Sequence, residues 1–399
     1  MNSFFGLPEK VKYCKNCLLS NQKPISINEN NNSKKTKKIK MSFEKNGICS
    51  ACEISEKKKK IDWKLREKKL LRILDKYRKN NNEYDCIIPG SGGKDSMYTT
   101  YMLKHKYNMN PLTVTQSPIL PTKMGLKNFR SWINYCGVNN ILASPNARVT
   151  AALAREAFIN LLHPMQPFKF GIKTVAVKEA LRRNIKLIFY GEPYSEYGSE
   201  AKNSDKKATY NFSWFTNKKE DNYIGGLKEG EIKRKYNWIK ESDLRAFASL
   251  EPNEIKGKKL QVEFLGWYLK WDPQEIYYFV SKYCGFEPDY QRTEGSYGRY
   301  TGIDDKFDWL HFYCSFIKFG IGRCRQDASQ EIRNGHITRD EGIMLCKKFE
   351  SEGSGRFFKD CYEFMNLSEK DANKIIDNFR SPHLWRREKG KWSRLQLDY

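Results

Sequence analysis

Residues whose types and spacing could do chemistry fall into three groups. The first is Ser91-Gly-Gly-Lys-Asp-Ser96, which follows the run Tyr84-Asp-Cys-Ile-Ile-Pro-Gly90. A short apolar run predicts a buried strand, and glycines before a polar helix start predict a tight strand-to-helix turn. Gly90, Gly92 and Gly93 are expected to adopt positive φ and to come close to a ligand, so that successive N–H groups at the mouth of a helix face anionic oxygens. Lys94 adds a cation, and Asp95 a carboxylate able to hold Mg²⁺. The pattern G-x-x-x-x-G-K-[ST] is not met, because Ile88 stands at the first glycine position and Asp95 follows the lysine. A site that cleaves a γ-phosphate is therefore disfavoured. A turn without a ligand is the plain alternative, and the strand, the helix and the Lys-Asp pair together speak against it.

The second group is Cys14-Lys-Asn-Cys17 and Cys49-Ser-Ala-Cys52. Two C-x-x-C knuckles supply the four thiolates of a closed tetrahedral Zn²⁺ site, and no nearby His suggests an open catalytic position. Most of the other cysteines lie singly in apolar surroundings, as at Cys86, Cys136 and Cys314, and read as reduced thiols. The third group gathers at predicted strand ends: Thr115-Gln116 after Leu112, and Gly191-Glu192 after Lys186-Leu-Ile-Phe-Tyr190. Ligands collect at the carboxyl ends of parallel strands, which puts these residues in one crevice with the glycine loop. Glu192 there reads as a ligand for Mg²⁺, a sugar hydroxyl or an incoming amine, or as a plain turn acid.

These residues need a scaffold. Strands near 85–89, 112–115, 141–143 and 186–190 alternate with helices to about 106 and near 123–136, 148–162 and 171–183. That alternation calls for an α/β fold, a parallel twisted sheet with helices on both faces. Residues 1–55 are expected to form the zinc module, with a polar insertion at about 21–46. Its Asn- and Lys-rich tract has no apolar face and is expected to loop out into solvent. A basic connecting helix is expected over 56–80, the α/β domain that carries the glycine loop over 81–205, and a mainly helical, aromatic-rich region for substrate and partner over 206–399.

The net charge of +25 is concentrated, with 22 Lys and Arg against 8 Asp and Glu in residues 1–80 and only +11 over the remaining 319. A solvated basic helix explains this as well as a nucleic-acid surface does, and no nucleic acid is expected as partner. The 39% hydrophobic content suffices for a large core, while no apolar run reaches about 18 residues and no basic-then-apolar leader opens the chain. A soluble, cytoplasmic protein without membrane insertion is expected.

Ser-Gly-Gly-Lys-Asp-Ser resembles the PP-loop of the ATP pyrophosphatases, which split ATP between the α- and β-phosphates. Further matches are Tyr190-Gly-Glu-Pro-Tyr-Ser-Glu-Tyr-Gly198, Leu265-Gly-Trp-Tyr-Leu-Lys-Trp-Asp272, Arg292-Thr-Glu-Gly-Ser-Tyr297, Ile303-Asp-Asp305 and Ile317-Lys-Phe-Gly-Ile-Gly-Arg323. With the knuckles, these resemble the N-acetyl sugar amidotransferases of bacterial surface-sugar pathways: lipopolysaccharide O-antigen, pseudaminic acid and legionaminic acid. The tract between the knuckles is longer than that family's usual link, Gln291 stands in place of an acid, and Cys324 in place of a small residue.

The resemblance implies conversion of an acetamido group on a nucleotide-linked sugar into an acetamidino group, with formation of AMP and pyrophosphate. ATP and Mg²⁺ would be held by Ser91, Gly92, Gly93, Lys94, Asp95, Ser96 and Thr115, and substrate by Glu192, Arg292, Tyr297 and Arg323. Lys94, Asp95, Glu192 and Lys318 would act in catalysis. Arg292, Lys318 and Arg323 read equally as solvated cations, and Asp304-Asp305 as Mg²⁺ ligands or as a helix cap. The chain opens Met1-Asn2 and has neither a G-x-C-x-G elbow nor an H-x-E pair. Ammonia is thus expected from a separate glutaminase, which the resemblance implies is of the histidine-biosynthesis type with its cyclase-like barrel companion. Two rivals remain: a tRNA-thiolating PP-loop enzyme, which would need a reactive cysteine pair beside the loop, and a non-enzymatic zinc- and ATP-binding module.

Overall fold

The computed structural model describes residues 3–24, 31–33, 35–79, 81, 83–192, 214–353 and 355–395. Helices α1 (Ser50–Lys58) and α2 (Trp63–Tyr77) lead into strand β1 (Cys86–Pro89), helix α3 (Lys94–Tyr101), strand β2 (Pro111–Gln116), helix α4 (Lys123–Cys136) and strand β3 (Asn140–Ala143). Helices α5 (Ala147–Leu161) and α6 (Gln166–Arg182) follow, then strand β4 (Leu187–Tyr190). The short pair β5 (Tyr223–Ile224) and β6 (Leu227–Lys228) comes next, with helices α7 (Glu229–Lys235), α8 (Glu241–Leu244) and α9 (Pro252–Ile255). Strand β7 (Gln261–Phe264) precedes α10 (Leu265–Tyr268), α11 (Pro273–Tyr283), α12 (Phe307–Phe319), α13 (Arg323–Asn334) and α14 (Arg339–Phe349). The chain closes with α15 (Phe358–Phe364), α16 (Glu369–Asp377) and the hairpin β8 (Trp385–Glu388)–β9 (Lys391–Arg394).

The main sheet has the order β3-β2-β1-β4-β7, and every pairing in it is parallel. The apolar run Cys86-Ile-Ile makes β1 central because those three side chains need cover on both faces. One face packs Ile88, Met97, Trp132 and Phe189 together, and the other sets Ile87, Val114 and Ile188 against α6 residues such as Val177 and Ala180. This is a parallel-sheet α/β architecture, preceded by a four-cysteine cluster.

Two departures from the sequence expectation matter. The fifth strand, β7, comes from beyond residue 206, so the sheet is not built from 81–205 alone. The basic stretch is two helices instead of one: Asp62 caps α2 by accepting a hydrogen bond from the Leu65 N–H at 3.0 Å, which fixes a new helix start four residues after α1 ends. Leu70 and Leu74 of α2 enter the core while its lysines face outward, and Arg66 lies over the Trp267 ring, 3.2 Å from its centroid.

The segment after β2 docks onto the C-terminal helices through Asp305. Its buried carboxylate accepts hydrogen bonds from the Ile119, Leu120 and Phe307 N–H groups at 2.5, 3.2 and 2.9 Å. The Thr122 N–H donates to the Asp304 carbonyl at 3.1 Å, and a Cβ on Gly125 would lie 2.6 Å from the Asp304 Cα. Asp305 is therefore a clamp that joins two regions, and Gly125 permits their close approach.

Candidate functional site

The loop 90–93 sits at the carboxyl end of β1 and opens α3, whose N-cap is Gly93. Only Gly92 has positive φ, at 86°. A Cβ there would stand 2.5 Å from the Phe129 Cα, so α4 presses the loop from outside. Gly90 is needed for a different reason: a Cβ would lie 2.2 Å from that of Ser96. Gly93, with its nearest neighbour at 3.7 Å, is under neither constraint. The expectation of positive φ at all three glycines thus holds for one.

Ser91, Gly92, Gly93, Lys94 and Asp95 line a cavity of about 510 Å³, a size suited to a small-molecule ligand. The buried Lys94 ammonium holds both Asp95 oxygens, Oδ1 at 2.6 Å and Oδ2 at 2.7 Å. N–H groups at a helix start, a cation and a carboxylate on one wall are the donor set for a nucleotide's phosphates and their Mg²⁺. Ser96 and Thr115 do not line this cavity. The Ser96 hydroxyl turns back to the Gly93 carbonyl at 2.9 Å, bracing the loop, and the buried Thr115 hydroxyl accepts from the Asn140 side chain at 2.9 Å within the sheet.

Glu192, Tyr297, Lys318 and Arg323 all reach the same cavity, from β4's end and the C-terminal half. Lys318 is buried on α12 and donates to the Leu161 carbonyl at 2.9 Å. Arg323 pairs with Asp327 at 2.8 Å across one turn of α13. Burial, with the charges of Asp327 and Glu331, pushes the Tyr297 phenol well above its usual range. Arg292 lies elsewhere: its guanidinium grips Glu352 through two bonds of 2.7 and 2.5 Å and sits over the Phe349 ring. A bidentate ion pair occupies the fork that was expected to meet substrate.

Other lining residues were not singled out from sequence. Gln326, Asp327, Gln330, Glu331 and Asn334 share one polar face of α13 with the expected Arg323, and all six line the cavity. Their helical spacing was visible, but a polar stripe ordinarily means a solvent face. His163 and His311 also line it, with rings stacked 4.5 Å apart and separated by 148 positions in sequence. Most unexpected are Lys23, Pro24, Asn32 and Lys38. The tract between the knuckles does not simply loop out; these residues form part of the wall.

The knuckles meet as expected. Cys14, Cys17, Cys49 and Cys52 are buried, with their four sulfurs within 4.8 Å of one another. The Cys14–Cys52 and Cys17–Cys49 sulfur separations are 3.8 and 3.6 Å. A tetrahedral site with metal–sulfur bonds near 2.3 Å has edges of about 3.8 Å, so the set fits a metal ion. Hydrogen bonds from Cys17, Cys49 and Cys52 hold the Cys14 thiol far below its ordinary range. The module rests on the α13 face opposite the cavity: the Leu18 N–H donates to Ser329 Oγ at 3.1 Å, and Arg325 donates to the Leu18 carbonyl at 3.1 Å. Cys136, expected to be alone, has Cys284 beside it. Both lie in the apolar core and neither lines the cavity.

Comparison with known proteins adds a second line of information. The family model described as LPS biosynthesis protein WbpG-like, C-terminal domain, matches residues 294–397. "Uncharacterized protein MJ1599" of Methanocaldococcus jannaschii is 38% identical over 80 residues, which are 20% of this chain and 28% of that protein. Among solved structures, the NH3-dependent NAD synthetase from Campylobacter jejuni is similar over 50% of this chain and 94% of its own, at 14% identity and a TM-score of 0.25. The U34-tRNA thiolase NcsA from Methanococcus maripaludis, solved with its 4Fe–4S cluster, is similar over 81% and 86%, at 11% identity and a TM-score of 0.28. Residues 294–397 are thus similar to a WbpG-like, LPS-related C-terminal domain. Among the described residues, no helix is long and apolar enough to cross a membrane.

Proposed function

We propose that this chain is an ATP-dependent amidotransferase that converts an acetamido group of a nucleotide-linked bacterial surface sugar into an acetamidino group. One observation carries the reading: the glycine loop and the polar face of α13, which lies in the WbpG-like region, line one cavity. Phosphate-binding groups thereby face a wall of amide and carboxylate side chains suited to sugar hydroxyls.

An amide oxygen is a poor leaving group, so it must be activated before nitrogen can replace it. The acetamido oxygen attacks the α-phosphorus of ATP, and pyrophosphate departs into the loop formed by Ser91, Gly92 and Gly93. Ammonia then adds to the imidate carbon, the C–O bond to AMP breaks, and the proton lost from nitrogen leaves the amidine. Lys94 neutralises the departing phosphates, while Asp95 would hold Mg²⁺, which supplies further charge neutralisation when bound. Glu192 orients the acceptor or the incoming amine, and Lys318 and Arg323 offset charge at the adenylated centre. Positioning and preorganised charge do most of this work. Zn²⁺ suits the four cysteines as a structural ion, and ammonia comes from a separate glutaminase with its barrel companion.

The test is mass spectrometry of candidate nucleotide sugars incubated with protein, ATP and ammonium, together with chromatography of the nucleotides. Exchange of O for NH lowers the product mass by about one unit and makes a neutral group cationic. AMP and pyrophosphate are expected, and Asp95→Asn should abolish turnover while the fold persists. ADP and inorganic phosphate as products would refute the adenylation step.

A further inference from the structure

The segment between the knuckles puts a buried cation into the cavity wall. Its two ends pair: the Met41 N–H donates to the Lys23 carbonyl at 2.9 Å, and Pro24 bridges Lys40 in antiparallel fashion. This turns the Lys23 side chain inward, where it is only 6% exposed. Its ammonium donates to the Gln326 side chain of α13 at 3.2 Å. Among the described residues no carboxylate lies within ion-pair distance of it. Lys38 lines the same cavity from the far end of the segment.

A buried ammonium is costly unless an anion meets it. Lys23 has only a neutral amide oxygen, that of Gln326, as hydrogen-bond partner among the described residues. The phosphates of ATP already have a cradle in Ser91–Asp95, with its own cation in Lys94. The Lys23 end, tied to α13, lies by the face assigned to the sugar.

We propose that Lys23 and Lys38 form a second anion subsite, which takes the diphosphate of the acceptor substrate and not that of ATP. The identity of that acceptor as a nucleotide-linked sugar rests on the amidotransferase reading; the subsite itself rests on the cavity. It gives the tract between the knuckles a role in selecting the substrate.

The experiment uses the full chain with its metal, saturated with α,β-methylene-ATP to fill the glycine loop, and titrates UDP and, separately, inorganic pyrophosphate by calorimetry. UDP should bind at one site per chain in the presence of the ATP analogue. Lys23→Met should weaken UDP by about 10- to 100-fold, the usual range for loss of a charge-assisted bond. Affinity for the ATP analogue and metal content should not change. UDP binding tighter than pyrophosphate marks a nucleotide source, and equal binding a free diphosphate. Displacement of UDP by the analogue, or wild-type UDP affinity in Lys23→Met, overturns the proposal. If Lys23→Met also loses metal, the half-exposed Lys38 decides: Lys38→Met should weaken UDP severalfold with metal retained, and wild-type affinity there overturns the subsite. Lys23-dependent UDP binding without amidination of any sugar would sink the amidotransferase reading alone. Amidination by Lys23→Met at wild-type KM would sink the subsite alone.

Discussion

Gly92 and Gly93 are adjacent, chemically identical and placed under opposite constraints, so replacing each by alanine tests the geometry of the glycine loop. At Gly92, φ is +86° and the added Cβ would lie 2.5 Å from the Phe129 Cα and 2.7 Å from its N, both backbone atoms. A left-handed backbone costs an alanine about 1–2 kcal/mol, and forcing apart a packed contact typically costs about 1–3 kcal/mol more. Gly92→Ala should therefore lose roughly 2–5 kcal/mol. Because the contact must open by about 1 Å, the loop must move against α4, and misplacement on that scale can cost about 100-fold in rate. At Gly93, φ is −70° and the nearest atom is 3.7 Å away, so Gly93→Ala should stay within about 0.5 kcal/mol of wild type. Urea unfolding and binding of an ATP analogue measure both effects. Equal behaviour of the two variants, or a Gly92→Ala protein with wild-type stability and nucleotide affinity, would refute the reasoning.

Cys14→Ser should remove tightly held metal, checked by elemental analysis of the purified protein, and lower the melting temperature before it touches nucleotide binding, since a closed four-sulfur site is structural. Asp305 gives a pH dependence. Burial raises its carboxyl to about 7 despite three N–H donors, so the folded state binds this proton more tightly than the unfolded chain does. Its contribution is fully present below the unfolded value near 4 and is lost as pH rises through about 7, a fall of about 2–3 kcal/mol between pH 5 and pH 8. Urea midpoints across that range should fall less steeply in Asp305→Asn, and an unchanged slope would count against the assignment.

Strands and helices were legible where one local signal decided them. The helix expected over 123–136 is α4, Lys123–Cys136, because Thr122 caps its start and Gly137 takes the left-handed conformation that ends it. Strand β7 was not legible: Gln261 and Glu263 interrupt its apolar pattern. Their side chains bond to each other at 2.6 Å, and Tyr268 satisfies the other Glu263 oxygen at 2.7 Å. That compensation exists only in the folded protein. Arg292 illustrates the converse. Its sequence context marked it as a candidate for substrate, but Glu352, 60 positions away, holds its fork. Charge and type are readable from sequence, whereas the partner that consumes a charge is set by tertiary contacts.

The same limit hid the relation between the cysteine cluster and the cavity. In sequence they are two separate motifs, Cys14 to Cys52 and Ser91 to Ser96, joined by a basic stretch. In the fold α13 lies between the cluster and the cavity. One of its faces carries Arg325 and Ser329 to the Leu18 backbone of the metal module, and the other carries Gln326, Gln330 and Glu331 to the cavity. Arg325 is wholly buried and bonds Glu350 at 2.8 and 2.5 Å, while Arg394 of the closing hairpin holds the same carboxylate at 2.9 Å. Removing one partner of such a buried network costs about 3–5 kcal/mol, so the helix has little freedom to shift alone. A metal that fixes the knuckles thereby also fixes the wall opposite the glycine loop, although no cysteine touches the cavity. The position of the α13 wall, more than that of the glycine loop, is what the four cysteines would hold.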